Sequence, residues 1–69
     1  MLDSIAFIGG GVMAEAMIGG LLARKLVSAR RVIVGEPHQK RRAELESRYR
    51  IRSTADNRKA VHSAETVVF

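Results

Sequence analysis

The sequence predicts an α/β fold with a parallel sheet of about four strands, in the order 3-2-1-4, and with helices on both faces of the sheet. Two observations predict this fold class. Short apolar runs alternate with helical patterns along the 69 residues. The first apolar runs are continuous, which is typical of strands that are buried on both faces. A regular alternation of strands and helices favours parallel strands joined by crossovers, which are right-handed in nearly all cases.

The first strand and the first helix are joined by glycines. Residues 5–8 form an apolar run that stops sharply at Gly9, as expected of a short buried strand. Residues 12–27 predict a helix with one apolar face. The side chains that define this face are Ala14, Ile18 and Leu22, with Met17 and Leu21 beside them.

Two glycines, Gly19 and Gly20, lie inside this predicted helix. Each glycine in a helix costs about 1 kcal/mol relative to alanine. A close approach of the helix to the sheet or to a neighbouring domain would explain them. A local weakness or kink in the helix is the alternative, and both explanations stay open.

A second strand and a second helix follow. Residues 31–35 predict a strand that Pro37 stops, because proline has no N–H to donate to a sheet. Residues 39–49 predict a charged helix with a thin apolar stripe. The chain therefore repeats the strand–helix unit with which it begins.

The remaining residues predict a shorter version of the same unit. Residues 51–53 form a weak third strand, and either Asp56 or Asn57 can cap a short helix that ends near residue 63. A fourth strand is predicted at residues 66–69. A fold of this class normally continues with more strands and a second domain, so we expect residues 1–69 to be a partial domain.

The composition narrows the class of protein. The chain has no cysteine and two histidines, so we expect no metal site. No apolar run approaches the roughly 20 residues that span a membrane, and residues 1–4 lack the basic segment of a secretory signal. We therefore expect a cytoplasmic location. The net charge of +5 suggests an anionic partner, either a phosphate-bearing small molecule or nucleic acid, with an ordinary solvated surface as the alternative.

The glycine turn at residues 9–11 is the strongest functional signal. It matches G-x-G-x-x-A between a strand and an amphipathic helix. Gly9 permits the tight turn, Gly11 lets the backbone approach a pyrophosphate, and Ala14 lets the helix pack closely on the strand. The N–H groups of the first helical turn would face the anion. The motif predicts a partial Rossmann fold that binds a dinucleotide through Gly9, Gly10, Gly11, Val12, Met13 and Ala14; a glycine-rich connection without a ligand is the alternative.

Glu36 ends the second strand, 25 positions after Gly11, near the roughly 20 expected of an acid that binds the adenosine ribose. A carboxylate there suits NAD and would repel the 2′-phosphate of NADP. Four basic residues follow at once and are candidate partners for that phosphate: His38, Lys40, Arg41 and Arg42. A solvated helix face, with ion pairs from Lys40 or Arg41 to Glu44, is the alternative. The predicted cofactor is therefore NADP or NAD.

Residues 5–18 resemble the N-terminus of pyrroline-5-carboxylate reductase, where that family typically has F-I-G-x-G-N-M-A-x-A-I. The resemblance continues through residues 20–22, 32–37, 55–57 and 64–69, and so covers nearly the whole chain. Val12 stands where the family usually has asparagine. This removes a polar side chain from the mouth of the pyrophosphate site, although the backbone contacts do not depend on it.

The resemblance implies that the full-length protein transfers hydride from NADPH or NADH to the C=N bond of 1-pyrroline-5-carboxylate, giving proline. Asn57 matches a family position that contacts the adenosine ribose, and a helix cap is the equal alternative. The family's C-terminal domain, which forms the dimer and most of the substrate pocket, is absent from these residues, as is its alanine-valine-lysine-proline segment. We therefore assign no catalytic residue, expect a homo-oligomer for the full-length protein, and expect the 69 residues alone to be inactive.

Two other functions stay open. The first is a related reductase, such as a hydroxyacid dehydrogenase, which the residues following Phe69 would distinguish. The second is nucleic-acid binding through the basic surface. The chain has one tyrosine and two phenylalanines, and both phenylalanines fall in predicted strands, so no stacking platform is evident and nucleic acid is not the expected partner. Apolar surface on the first helix and the sheet edge is expected to cause self-association.

Overall fold

The computed structural model describes residues 3–69. Met1 and Leu2 belong to the N-terminal segment for which we expect no secretory signal, and they lie outside the described residues. The described chain forms one sheet in the order β3-β2-β1-β4, and each pair of neighbouring strands is parallel. The strands are β1 (Ile5–Ile8), β2 (Val32–Gly35), β3 (Arg52–Thr54) and β4 (Thr66–Val68). The predicted fold class and strand order are confirmed.

Within residues 3–69, three α-helices cover the two faces of the sheet. They are α1 (Val12–Ala23), α2 (Gln39–Tyr49) and α3 (Asn57–His62), and a 3-10 turn (Ala29–Arg31) leads into β2. Successive residues of a strand point to opposite faces. Phe7 therefore packs on the face covered by α1 and α2, together with Ile18 and Leu45. Ala6 packs on the other face against Ala60 of α3.

Helix α1 ends at Ala23, four residues earlier than the pattern predicted, because the chain turns to bury Val27. The N–H of Lys25 donates to the carbonyl of Leu22, and the N–H of Leu26 donates to the carbonyl of Leu21. This pair of hydrogen bonds is a Schellman motif, which usually has glycine at its left-handed position. Lys25 occupies that position with φ +57. Val27 is then 3% exposed in the core.

The strand boundaries differ from the predictions by one residue. Arg31 belongs to the 3-10 turn rather than to β2, and β3 covers residues 52–54 rather than 51–53. Ile51 is buried but precedes the strand. β4 ends at Val68 rather than at Phe69. Apolar character marks the buried residues of these segments, whereas the hydrogen-bonding register sets where each strand begins.

The topology creates a crevice between β1 and β4. The connection through α1 crosses one face of the sheet, while the connection through α3 crosses the other. Strands β1 and β4 are neighbours, so the direction of the connections reverses between them. In open α/β sheets, ligands bind at this switch point, outside the carboxyl ends of the strands. The glycine turn follows β1 and lies at this edge.

Candidate dinucleotide site

The glycine turn joins the carboxyl end of β1 to the N-terminus of α1. Gly9 has φ +95, a conformation that side chains rarely adopt, and its N–H donates to the carbonyl of Gly35 at 2.8 Å. Gly11 is the extended residue that precedes the helix. It is exposed, and a Cβ atom placed on it would have no atom within 4 Å. Gly9 therefore has the turn conformation expected of it, and the space beside Gly11 is open to a ligand.

Two further glycines are required by close packing. A Cβ atom on Gly10 would lie 2.9 Å from Cδ1 of Leu45 and 3.0 Å from Oε1 of Glu36. On Gly35 it would lie 2.4 Å from Oδ1 of Asn57. Neither requirement follows from the spacing of the motif, because the neighbouring atoms belong to other elements of the chain.

Glu36 lies beneath the glycine turn, with its carboxylate largely buried. Its Oε2 atom accepts from the backbone N–H of His38 at 3.0 Å and lies 2.7 Å from Nδ1 of the same residue. Its Oε1 atom accepts from the N–H of Gly10 at 2.8 Å. These hydrogen bonds, that of the His38 backbone first, lower the pKa of Glu36 although burial opposes the charge. The ionised carboxylate has a second lone pair on Oε1, and its contact with ribose stays a prediction.

The basic residues after Glu36 fall into two groups: Arg41 and Arg42 donate to protein atoms, whereas His38 and Lys40 are exposed. Arg42 donates from Nη1 to the carbonyl oxygens of Glu36 and Pro37, at 2.8 and 2.9 Å. Arg42 therefore stabilises the start of α2, and its pairing with a cofactor phosphate stays a prediction. His38 is mostly exposed next to Glu36, with 82% of its side chain accessible. Lys40 is also exposed, so these two predicted cofactor residues have room to meet a ligand.

Arg41 is held by other parts of the protein rather than exposed. Its Nε donates to the carbonyl of Gly10, and its Nη2 donates to Glu15 at 2.7 Å. It also lies 3.6 Å from Glu44, the surface ion pair that was the alternative explanation for this residue. Arg41 thus joins α2 to the glycine turn, a role that differs from pairing with a cofactor phosphate.

Glu15, which sequence reasoning missed, is the centre of this network. It accepts hydrogen bonds from three side chains of α2: Arg41, Arg48 and Tyr49. The Tyr49 hydroxyl, followed by the two guanidinium groups, lowers the pKa of Glu15 from 4.5 to about 2. The partners lie 26 to 34 positions along the chain, and no local pattern in the sequence reveals a contact over such a separation.

A cleft of about 200 Å³ lies beside the glycine turn, between α1 and β4. Gly11, Met13, Met17 and Val68 are among the residues that line it. Val12 and Met13 are 82% and 79% exposed in the first turn of α1. The cleft occupies the switch point between β1 and β4, and so lies where this fold places a ligand.

Asn57 reaches the same edge of the sheet from α3. The cap of α3 is Asp56, whose Oδ1 accepts from the N–H of Arg58 at 2.9 Å. Asn57 is the first helical residue, so the alternative that it caps the helix is wrong. It is exposed, close to Gly35 at the end of β2. It also lines a second cavity, of about 250 Å³. Its contact with ribose stays a prediction.

The described residues place the predicted site in one region. The glycine turn, Glu36 and Asn57 all lie at the carboxyl edge of the sheet, and Glu36 touches the turn directly. An open helix N-terminus after the first strand, with an acid directly after the second, defines a dinucleotide-binding domain of the Rossmann class. Within residues 3–69, no cluster of side chains suited to a metal ion is present. No helix in this part of the chain is long and apolar enough to cross a membrane.

Comparison with known proteins identifies the family. Residues 4–69 match the family described as NADP oxidoreductase, coenzyme F420-dependent, and the chain belongs to this family. A pyrroline-5-carboxylate reductase of Synechocystis sp. is 42% identical over 68 residues, which cover 99% of this chain and 26% of that protein. One of Vibrio alginolyticus is 41% identical over 64 residues, covering 93% of this chain and 23% of the relative.

A solved structure shows the same likeness. The structure of a pyrroline-5-carboxylate reductase from Coxiella burnetii superposes with a TM-score of 0.87 and 28% sequence identity. The match covers 97% of this chain and 24% of that structure. The predicted resemblance to this group of reductases is confirmed. The chain spans about a quarter of the length of the relatives that it matches.

Proposed function

We propose that the chain is the dinucleotide-binding part of a pyrroline-5-carboxylate reductase. The full-length protein would transfer hydride from NADPH or NADH to the C=N bond of 1-pyrroline-5-carboxylate and release proline. The open N-terminus of α1 at Gly11, placed at the switch point of the sheet, is the observation that carries the proposal. The names of the relatives support the choice of substrate.

The residues of this chain would bind and orient the cofactor. The backbone N–H groups of Gly11, Val12 and Met13 are at the start of α1, where the helix dipole favours a pyrophosphate. Glu36 and Asn57 would contact the adenosine ribose. The bound nicotinamide supplies the hydride, and the protein contributes placement and exclusion of water. No residue of this chain is proposed as a proton donor.

Two observations bear on the choice between NADP and NAD. The ionised Glu36 favours NAD, because a carboxylate repels a 2′-phosphate. The exposed His38 and Lys40 and the description of the family favour NADP. Titration with 2′,5′-ADP and with 5′-AMP separates the two preferences, since these ligands differ only in the 2′-phosphate.

The 69 residues alone are proposed to bind the cofactor weakly and to lack reductase activity. The cleft of about 200 Å³ is too small to enclose a whole dinucleotide. These 69 residues also correspond to only about a quarter of the length of each relative. A homo-oligomer and a cytoplasmic location are likewise proposals for the full-length protein.

The substitution Gly11→Ala tests the cofactor site. A methyl group at this open position meets no protein atom, so the fold should be retained. It would obstruct the approach of a pyrophosphate, and we expect the Kd for NADPH and NADH to rise about 10-fold, or ~1.4 kcal/mol. Binding is measured by titrating the ¹⁵N-labelled chain and following its amide resonances.

Gly20→Ala is the matched control. Gly20 lies in the middle of α1, and a Cβ atom there also meets nothing within 4 Å. We expect this variant to keep the Kd of the unchanged chain. If the folded, unchanged chain showed no saturable shift with either dinucleotide, the proposed function would be wrong.

A reductase that acts on another substrate is the second candidate. It is favoured by the family description, which names coenzyme F420 rather than an imino acid. Assay of the full-length protein with 1-pyrroline-5-carboxylate and NADPH, and separately with F420 and NADPH, distinguishes the two. Turnover in the assay with F420 and NADPH, without turnover of 1-pyrroline-5-carboxylate, would favour this second candidate.

A further inference from the structure

The backbone of Gly10 is held on both sides by side chains from other elements. Its N–H donates to Glu36, which directly follows β2, at 2.8 Å. Its carbonyl accepts from Nε of Arg41, in the first turn of α2. Gly10 is itself buried, and Cδ1 of Leu45 lies 2.9 Å from the position that a Cβ atom on it would take. The conformation of the glycine turn therefore depends on contacts that the glycine motif does not contain.

The carbonyl of Gly10 and the N–H of Gly11 belong to one peptide unit. A trans peptide is planar, and its C=O and N–H bonds point in opposite directions. Because Arg41 holds the carbonyl towards α2, the N–H of Gly11 points away from α2. Among the described residues, this N–H forms no hydrogen bond. It is one of the free donors at the start of α1 that an anion would use.

Arg41 is itself fixed in position by Glu15. Its Nη2 atom lies 2.7 Å from Oε1 of Glu15, and its side chain is 25% exposed. Glu15 is held in turn by the Tyr49 hydroxyl at 2.7 Å. A guanidinium that donates through both Nε and Nη2 has a defined orientation. Its charge is also compensated by Glu15, so Arg41 is poorly suited to bind a phosphate directly.

We propose that Arg41 is a positioning residue of the cofactor site, which directs the Gly11 N–H towards the pyrophosphate by holding the Gly10 carbonyl. Glu15 acts through Arg41 in this arrangement. The proposal rests on the proposed function, because it assumes that a dinucleotide binds at the glycine turn. It differs from the direct role in phosphate binding that the sequence allowed for Arg41.

The substitution Arg41→Gln separates positioning from direct contact. The pyrophosphate is common to NADPH and NADH, so loss of positioning should raise the Kd of both dinucleotides by the same factor, about 10-fold. A direct contact with the 2′-phosphate would instead weaken NADPH alone. The Kd values are measured by the same amide titration at about 0.3 M salt, where screening shortens charge effects to a few ångströms. We also expect the amide resonance of Gly11 to shift in the variant before any ligand is added.

Arg30→Gln is the charge-matched control. Arg30 is exposed in the 3-10 turn before β2, at the opposite end of the sheet from the glycine turn. We expect its Kd values to stay within twofold of those of the unchanged chain. Equal binding by the Arg41→Gln and Arg30→Gln variants would overturn the inference, and so would a loss confined to NADPH.

Glu15→Gln provides a second route if Arg41→Gln unfolds the chain. This variant keeps Arg41 but weakens its contact with residue 15. We therefore expect a smaller rise in the Kd of both dinucleotides, about threefold. In a double variant that folds, Glu15→Gln should add nothing to Arg41→Gln, because the two residues act in series. Unaltered binding by a folded Glu15→Gln variant would contradict the proposed role of Glu15. Absence of binding by the unchanged, folded chain would instead reject the proposed function itself.

Discussion

The small residues at the site meet different physical constraints. Gly9 is required for its positive φ, whereas Gly10 and Gly35 are required because other residues lie too close for a Cβ atom. Gly11 has neither constraint within the protein. The absence of a side chain at Gly11 is therefore not needed for packing within the protein, and it would matter only to a bound ligand. Substitution at this position is for that reason the most direct test of ligand binding.

Gly35→Ala should destabilise the fold through α3. A Cβ atom on Gly35 would lie 2.4 Å from Oδ1 of Asn57 and 3.3 Å from its Cα. We expect a loss of about 1–3 kcal/mol in the free energy of unfolding, typical of overpacking, measured by urea denaturation. Adding Asn57→Ala should recover part of the loss, since the closest contact is with the end of that side chain. No recovery in the double variant would show that the backbone of α3, and not the side chain, is displaced.

Sequence reasoning located some of these residues and missed others for one physical reason. The turn at Gly9 and the acid at Glu36 follow from local spacing between a strand and a helix. The needs for glycine at positions 10 and 35, and the network around Glu15, arise from residues distant in the chain. Spacing within a motif carries no information about such contacts, whereas the tertiary fold decides them.

Helices α1 and α2 bury few large side chains, and polar contacts join the two helices. Ile18 is the buried residue of α1, and Leu45 is the buried residue of α2. The Glu15 network joins these two helices next to the glycine turn. Periodicity predicted both helices, but not the end of α1 at Ala23, because that end depends on burial of Val27 in the core.

The connection between α1 and α2 should weaken in acid. Glu15 has a pKa of about 2 in the folded chain against an ordinary value of 4.5, so folding favours its charged form. Its contribution to stability is complete above pH about 4.5 and is lost as the pH falls towards 2. The pKa of Glu36 is also lowered, and this carboxylate adds to the loss in the same direction.

Thermal midpoints measured between pH 2 and 7 test this expectation. The Glu15→Gln variant should be less stable than the unchanged chain at neutral pH. Its stability should also fall less steeply in acid, because the contribution of the ionised Glu15 is missing. Some fall should remain, because the pKa values of Glu36 and Asp56 are also lowered. Parallel pH curves for the two proteins would show that Glu15 has no part in the acid response.

The described molecule exposes several large apolar side chains. On and beside α1 the exposed fractions are 79% for Met13, 44% for Met17 and 41% for Leu26, and Phe69 is 93% exposed. Met13 and Met17 are four residues apart and therefore lie on one side of α1. This side of the helix also lines the cleft next to β4. Apolar surface of this kind favours association between molecules.

Self-association of the 69-residue chain is the expected result at high concentration. Sedimentation velocity should show a weight-average mass that rises with protein concentration. Met17→Glu places a charge in the apolar surface and should shift the equilibrium towards the monomer. A concentration-independent monomer in the unchanged chain would contradict the expectation.

The central position of β1 has a consequence for the order in which the protein forms during synthesis. Ile5 pairs with Val32 on one side and with Thr66 on the other. At about 5 to 20 residues per second, Thr66 is added about 3 to 12 seconds after Ile5. Until then, one edge of the first strand has no neighbour from β4. The crevice between β1 and β4 is therefore the last part of the described fold that can form during synthesis. A newly made chain can bind cofactor in this crevice only after β4 has been synthesised.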